Sequence, residues 1–387
     1  MASPAAFLSQ DGTGAATGLG GPAAERGRED LMRGMVFRGD RKVELLDFDD
    51  PTPGQGEAVI EIKASGMCGS DLHFYRNNPA EVIRSLGFKD LASRGIDENT
   101  PIIGGHEPCG VVAALGPGVD PKAFGVGDRV MVFHYEGCTH CDHCRTGWTQ
   151  MCDHGAIVHG VIAHGAHADY MKVPASCLVP MPEGLSFAGG AAVACGTGTA
   201  YGALTRLDIS ARDTLTVFGL GPVGLSAAQL AAAMGIEVIG VDISADRVER
   251  AKDFGVAHAI DGSSTDPVEA IRSLTRGKGV TCAMDCAGGE APKQQAVRAT
   301  APWGRIALVA VGGNLNVDAM KDLIGKQRTV IGSYTFSSVG MKGCAEFITD
   351  HGVEVDKLFT DQWRLDQAEE AYRSFDKQAG GKGVFLF

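Results

Sequence analysis

Cys68-Gly-Ser-Asp-Leu-His73 packs a thiol, a hydroxyl, a carboxylate and an imidazole into one short window. Thiolates and imidazoles bind soft divalent metals, a hydroxyl next to an imidazole can move a proton, and a carboxylate can orient either. Alone, such a window is ordinary; its meaning depends on partners elsewhere in the chain. Two stretches offer them. Gly104-Gly-His106-Glu107 brings an imidazole, and Val193-Ala-Cys195-Gly-Thr-Gly198 brings a second thiolate. Taken singly, each residue reads as a buried core group. Together, Cys68, His106 and Cys195 make three protein ligands and leave a fourth position for water or substrate, as a catalytic zinc site requires.

Cys138-x2-Cys141-x2-Cys144-x7-Cys152 is a different device. Four thiolates on one compact loop can close a tetrahedron around a second Zn²⁺ with no open position, which makes the site structural. His140, His143 and His154 lie among the thiols and read as solvated loop residues, because four sulfurs already fill the shell. An Fe–S cluster is the rival occupant. The chain has 11 cysteines, an odd and clustered set that speaks for metal binding before disulfides, and for a cytoplasmic location.

A third stretch offers a cofactor site. Gly219-Leu-Gly221-Pro222-Val223-Gly224 follows the strand-like run Thr214–Phe218 and opens an Ala-rich helix. The first Gly makes the turn, the second lets backbone approach a pyrophosphate, and the third lets helix and strand pack. Asp242 ends the next strand, where its carboxylate can accept the ribose hydroxyls and repel a 2′-phosphate. That favours NAD over NADP, although Arg247 stands close enough in sequence to serve a phosphate.

These groups need two kinds of scaffold. From Met35 to about Val173 the chain reads as short β runs between Gly and Pro, interrupted by a charged insertion over 77–100. Glu57–Lys63 alternates with period two, and Cys109–Leu115 and Asp128–Phe133 are further strands. After about Ala175 strands and helices alternate: Thr214–Phe218, a helix to about Met234, Ile236–Val241, a helix over 244–254, then Val280–Met284 and Ile306–Val311. That alternation implies a doubly wound parallel sheet. A helix near Leu365–Phe375 and a strand Val384–Phe387 close the chain. The expected class is α/β, a Gly-rich β-barrel-like catalytic domain plus a Rossmann cofactor domain. The expected divisions are 1–33 as a disordered extension, 34–195 catalytic, 196–335 NAD-binding and 336–387 catalytic again. With 387 residues, 44% apolar, the chain can bury two cores, and its charge of −12 argues against nucleic-acid or anionic-membrane partners. No window reaches the roughly 18 uninterrupted apolar residues of a membrane span.

Cys-Gly-Ser-Asp-x-His, Gly-His-Glu, the four-Cys loop, Cys195 and the Gly loop occur in an order that resembles the zinc-dependent medium-chain alcohol dehydrogenase family, over about residues 35–387. The resemblance implies roles position by position. Cys68, His106 and Cys195 match the family's own Cys₂His catalytic zinc ligands. Glu107 matches an acid that can approach or replace a ligand. Asp71 matches the acid that orients the ligand histidine through its free ring N–H. Ser70 matches the hydroxyl that takes the alcohol proton, and His73 the outlet of that proton to solvent. It also implies two zinc ions per chain, NAD, a small-molecule alcohol substrate, and a homodimer or homotetramer.

The chain departs from the family in three places, one of them the insertion over 77–100, which reads as a solvated loop or as a cover for the pocket mouth. Gly69 stands where several relatives carry a basic residue for the pyrophosphate. His134 stands where relatives often place an aromatic wall of the substrate pocket, and an imidazole there suggests a polar substrate. The expected reaction is hydride transfer between NAD and a secondary alcohol, polyol or amino alcohol. The rivals are a zinc-free enone or quinone reductase of the same fold, and a non-catalytic binding protein that kept the fold; zinc content discriminates among the three.

Overall fold

A computed structural model describes residues 31–88, 100–377 and 380–387. The extension expected over 1–33 lies outside them except for its last three residues. Those three belong to β1 (Leu31–Gly39), which pairs antiparallel with β2 (Lys42–Asp49), Leu31 opposite Asp49. The first element therefore begins earlier than the composition suggested, because the apolar pattern of the strand continues back through buried Met32.

The chain then builds an antiparallel sheet around β3 (Glu57–Gly66). Helices α1 (Asp71–Arg76) and α2 (Pro79–Ser85) follow, the latter opening the inserted stretch, of which 89–99 lie outside the described residues. Next come β4 (Pro108–Leu115), β5 (Arg129–Val132), β6 (Tyr135–Glu136), α3 (Asp142–Arg145), β7 (Ile157–Val158), β8 (Tyr170–Pro174) and β9 (Leu178–Pro180). β3 pairs with both β4 and β8, and β5 joins β4 to β9. The period-two pattern read in Glu57–Lys63 is real, yet Ala58, Val59 and Ile60 are buried in succession. Strands on both edges and a helix on one face leave β3 almost no solvent side.

That helix is α4 (Phe187–Ala192), which continues through a π-helical turn (Val193–Thr197) into α5 (Gly198–Arg206). The division expected between 195 and 196 falls inside this rod, and the chain returns from the second half through the stretch between Gly332 and Ser338.

The second half alternates: β10 (Thr214–Phe218), α6 (Pro222–Ala233), β11 (Glu237–Asp242), α7 (Ala245–Arg250), β12 (His258–Asp261), α8 (Pro267–Leu274), β13 (Val280–Asp285), α9 (Glu290–Ala299), β14 (Thr300–Leu308) and β15 (Thr329–Gly332). All neighbours are parallel in the order β12-β11-β10-β13-β14-β15, the doubly wound arrangement, with its switch point between β10 and β13. β14 stops at Leu308, short of the expected Val311, which is exposed. Past that point the Val309 and Ala310 N–H groups both donate to the one carbonyl of Asp285, at 3.1 and 3.0 Å, and the Ala310 and Gly312 carbonyls accept from Lys293 Nζ at 3.2 and 2.7 Å, so the regular ladder ends there.

Finally α10 (Ser338–His351), β16 (Phe359–Trp363), α11 (Ala368–Phe375) and β17 (Lys382–Leu386) bring the tail back to the first sheet, where β17 inserts between β16 and β3. One apolar core runs through both halves, joining Met67 and Leu72, the rod residues Ala191–Ala194, Leu215 and Val217, and Tyr372 and Phe385 of the tail. All 11 cysteines are free thiols. Among the described residues no helix is long and apolar enough to cross a membrane.

Candidate functional site

Three separate segments converge where the two halves meet. Cys68 lies just beyond β3, His106 and Glu107 lie just before β4, and Cys195 sits on the π-helical turn. A π turn inserts one residue into a helix and re-aims the side chains around it, which is why such turns recur at sites of function. The structure brings one donor atom each from Cys68, His106, Glu107 and Cys195 within 4.8 Å of one another. The two sulfurs are 3.9 Å apart.

The titratable groups of this cluster shift one another. Burial works against a charge on His106, but the Asp71 carboxylate and then Cys68 outweigh it and raise the ring well above its ordinary pKa. A hydrogen bond from Cys195 holds the Cys68 thiol well below its ordinary value, and the Cys195 thiol is pushed up in turn. Burial pushes Glu107 up to about 7, opposed by Lys382. A convergent set of two sulfurs, one nitrogen and one carboxylate fits Zn²⁺ by the chemistry of its donors.

Asp71, the first residue of α1, sets the His106 ring. Its Oδ1 lies 3.0 Å from His106 Nδ1, and its Oδ2 accepts the Cys68 N–H at 2.8 Å. A proton on Nδ1 leaves the Nε2 lone pair for the cluster. Ser70, which precedes α1, places Oγ 3.3 Å from that Nε2. His73 stands on the first turn of the same helix, exposed, with its N–H donating to the Ser70 carbonyl at 3.1 Å.

Residues the sequence reading missed complete the surroundings. Lys382 opens β17 and is almost wholly buried; its Nζ lies 2.6 Å from Glu107 Oε1 and 2.5 Å from Oε2, and donates to the Met67 carbonyl at 3.0 Å. Tyr372 on α11 donates to Asp71 Oδ2 at 3.2 Å, and His167 lies against Tyr372. None belongs to a motif; the one available signal for Lys382 was a lone cation in an otherwise apolar terminal strand.

His134 is buried, its ring edge-on to His106 at 5.2 Å, and its Nδ1 has no hydrogen-bond partner among the described residues. Burial first, then His106, holds it well below its ordinary pKa, so the imidazole is neutral. A Cβ built on Gly69 would meet nothing within 4 Å, so the missing basic side chain is not a steric necessity.

The Cys138, Cys141, Cys144 and Cys152 sulfurs also lie within 4.8 Å of one another. Backbone N–H groups are turned onto them, Cys141 N to Cys138 Sγ at 3.3 Å and Cys138 N to Cys152 Sγ at 3.4 Å. This suits thiolates, and the all-sulfur set fits a closed zinc site. His140 and His154 are exposed, but one nitrogen of each comes as close to Cys138 as the sulfurs do to one another.

The Gly loop stands at the switch point of the parallel sheet. Gly219 has φ +91°, and a Cβ there would lie 2.6 Å from Ala287 N; a Cβ on Gly224 would lie 1.8 Å from Gly219 O; one on Gly221 would meet nothing within 4 Å. The first and third glycines are thus consumed by turn and packing, and the second leaves open space before the N-terminus of α6, with Pro222 and Val223 in its first turn. This cradle fits a pyrophosphate. Asp242 Oδ2 accepts Leu220 N–H at 2.7 Å and Oδ1 accepts Ser244 N–H at 2.9 Å, while Arg247 Nη1 stands 3.8 Å from the carboxylate.

Residues 54–183 match the family described as alcohol dehydrogenase GroES-like domain, and residues 222–350 the family described as zinc-binding dehydrogenase. Over 365 residues the chain is 35% identical to an uncharacterized zinc-type alcohol dehydrogenase-like protein of Escherichia coli (strain K12), covering 92% of this chain and 99% of that protein. It is 29% identical over 345 residues to a sorbitol dehydrogenase of Bacillus subtilis (strain 168), covering 88% and 92% of the two. A crystal structure described as a short chain alcohol dehydrogenase from E. coli CFT073, complexed with cofactor NADH, superposes with a TM-score of 0.80 at 25% identity, covering 92% of this chain and 100% of that one.

Proposed function

The chain belongs to the zinc-dependent medium-chain alcohol dehydrogenase family, and within it we propose an NAD-dependent oxidoreductase of polar alcohols, a secondary alcohol, polyol or amino alcohol. The observation that carries the reading is the convergence of the Cys68, His106, Glu107 and Cys195 donors within 4.8 Å. Cys68, His106 and Cys195 would hold a catalytic zinc, with Glu107 beside it, and the four cysteines of the 138–152 loop a structural one. When bound, zinc supplies a Lewis acid that stabilises negative charge on the alcohol oxygen, and NAD supplies the hydride acceptor.

The chain's own residues do the rest. Ser70 Oγ takes the proton of the alcohol hydroxyl as it releases its own toward His73 and solvent, since Ser70 stands at the cluster and His73 is exposed on the helix that Ser70 precedes. Asp71 keeps His106 oriented. His106 and Glu107 are buried while Cys68 and Cys195 stay half-exposed, so charge interactions are strengthened on the inner side of the cluster and its outer side stays open to a substrate. Asp242 accepts ribose hydroxyls; each of its oxygens bonds one backbone N–H and keeps a lone pair for a further donor. The Gly221 opening and the start of α6 receive the pyrophosphate.

The substrate reading is supported by His134. A buried ring nitrogen without a partner, beside the reacting centre, is a hydrogen-bond position that a second polar group of the substrate would fill. The sorbitol dehydrogenase among the relatives acts on such a compound by its name. A panel of simple alcohols, polyols and amino alcohols, assayed by NADH appearance, tests this. Polyols or amino alcohols are expected to give the highest kcat/KM, and His134→Phe to lower it for them about tenfold while leaving simple secondary alcohols within about threefold, the worth of one hydrogen bond. Equal loss for both classes contradicts the role. Cys68→Ser is expected to abolish NADH formation and to remove one of two zinc ions per chain; full activity with one zinc would reject the whole reading.

A further inference from the structure

Asp71 is one link in a longer buried chain. Ser65 Oγ lies 2.8 Å from His167 Nδ1, His167 Nε2 lies 2.7 Å from Tyr372 Oη, and Tyr372 Oη lies 3.2 Å from Asp71 Oδ2. Asp71 Oδ1 then lies 3.0 Å from His106 Nδ1. Ser65, His167 and Tyr372 are fully buried and Asp71 nearly so. These groups come from β3, the segment before β8, α11 and α1, so four parts of the fold meet behind one imidazole.

The protons along this chain have one consistent direction. An ionised carboxylate only accepts, and Asp71 Oδ2 also takes the Cys68 N–H. Tyr372 must therefore donate its single proton to Asp71, and its lone pair must accept from His167 Nε2–H. The other nitrogen, Nδ1, then accepts the Ser65 hydroxyl. Burial, opposed in part by Asp71, lowers the His167 pKa to about 4, which keeps the ring neutral with one N–H, as this pattern needs. Rings pack against the links: Phe37 meets Tyr372 edge-on at 5.0 Å, and Phe385 meets His167 at 4.8 Å. Gly105 has φ +87°, and a Cβ there would lie 2.5 Å from His167 Nδ1, so the residue next to His106 is kept bare where His167 passes.

We infer that Tyr372 and His167 are positioning residues for the metal site: they fix the Asp71 carboxylate, and through it the angle and donor strength of His106. Low dielectric makes each bond in such a chain strengthen the next. The direct partner of a metal-ligating histidine, here Asp71, is worth about 10–100-fold in metal affinity or activity, which sets the ceiling for groups that act through it. The inference rests on the reading of Cys68, His106 and Cys195 as zinc ligands.

Zinc release to a chromogenic chelator tests it without any turnover. The wild type should lose zinc in two phases, and Cys68→Ser identifies the phase belonging to the Cys68 site by lacking it. Tyr372→Phe deletes one hydroxyl and keeps the ring packing. It is expected to speed that phase about tenfold, the lower end of what a direct partner is worth, and leave the four-cysteine phase unchanged. His167→Phe should do the same, and His167→Gln, which keeps an N–H donor, should restore a rate near wild type. Cobalt substituted at the site should show a shifted visible spectrum in Tyr372→Phe. An unchanged release rate in Tyr372→Phe overturns the inference and leaves the zinc assignment standing. Equal acceleration of both phases also overturns it, because that is general loosening. A wild type with one zinc, retained in Cys68→Ser, overturns the zinc assignment and the inference with it.

Discussion

The Asp242 carboxylate is engaged before any ribose arrives. It holds the Leu220 N–H of the Gly loop and the Ser244 N–H of its own turn, and is almost wholly buried. Its expected role against a 2′-phosphate is thus coupled to the stiffness of the cradle. Asp242→Ala would leave two backbone donors unmatched, at about 1–3 kcal/mol each. The expected result is a lower melting temperature together with a rise of at least about tenfold, on the order of 1.4 kcal/mol, in the ratio of kcat/KM for NADP to that for NAD. Asp242→Asn keeps the shape and removes the charge, and should shift the ratio with less loss of stability. A ratio unmoved in both variants would reject the role.

At the scale of elements, one loop carries two separable demands. Gly224 lies where α6 crosses the backbone of Gly219, whereas Gly221 faces open space. Gly224→Ala must push helix from strand, an overpacking cost of about 1–3 kcal/mol, visible as a lower midpoint in denaturant. Gly221→Ala should leave the midpoint unchanged and weaken NADH binding, read by fluorescence titration, by about tenfold or more, since its methyl group would point into the space a pyrophosphate needs. If both variants lowered the midpoint equally, the division of labour within the loop would be wrong. Helix α1 is a second such element. It begins with Asp71 at the metal cluster and ends with Arg76, whose Nε bonds Asp376 Oδ1 at 2.5 Å just past α11. The segment that carries the proposed proton outlet is thus pinned at both ends to the C-terminal tail.

At the scale of the molecule, the tail closes the site. β17 inserts into the first sheet and delivers Lys382 to Glu107, which is wholly buried. Burial works against the lysine's charge, but Glu107 outweighs it and the pKa is raised. Removing one partner of a buried pair leaves an uncompensated charge. Lys382→Met is expected to cost about 3–5 kcal/mol, and Lys382→Met with Glu107→Gln to regain most of it. A double variant no more stable than the single one would show that the pair does not act as a unit.

The parts legible from sequence were those whose chemistry is local. The four-Cys loop closes within its own turn, so spacing alone suggests its geometry. The Gly loop needs only a strand before it and a helix after it, and the alternation from Thr214 to Leu308 supplied both, together with the α/β class. Cys68, His106 and Cys195 were picked out by residue type and glycine context, and the structure brings their donor atoms together. The rest was decided by contacts across long separations. The π-helical turn at Cys195, the start of β1 at Leu31, the end of β14 at Leu308, and the partners Lys382, Tyr372 and His167 depend on what packs against them. A hydrogen bond between Tyr372 and Asp71 spans 301 positions of chain and leaves no periodicity in either neighbourhood. By itself the sequence determined which groups are available, because residue type and short spacing set metal preference and turn geometry. Tertiary structure decided how those groups are aimed and charged, because burial and partners brought from a distant tail determine where a proton sits and which lone pair faces the metal.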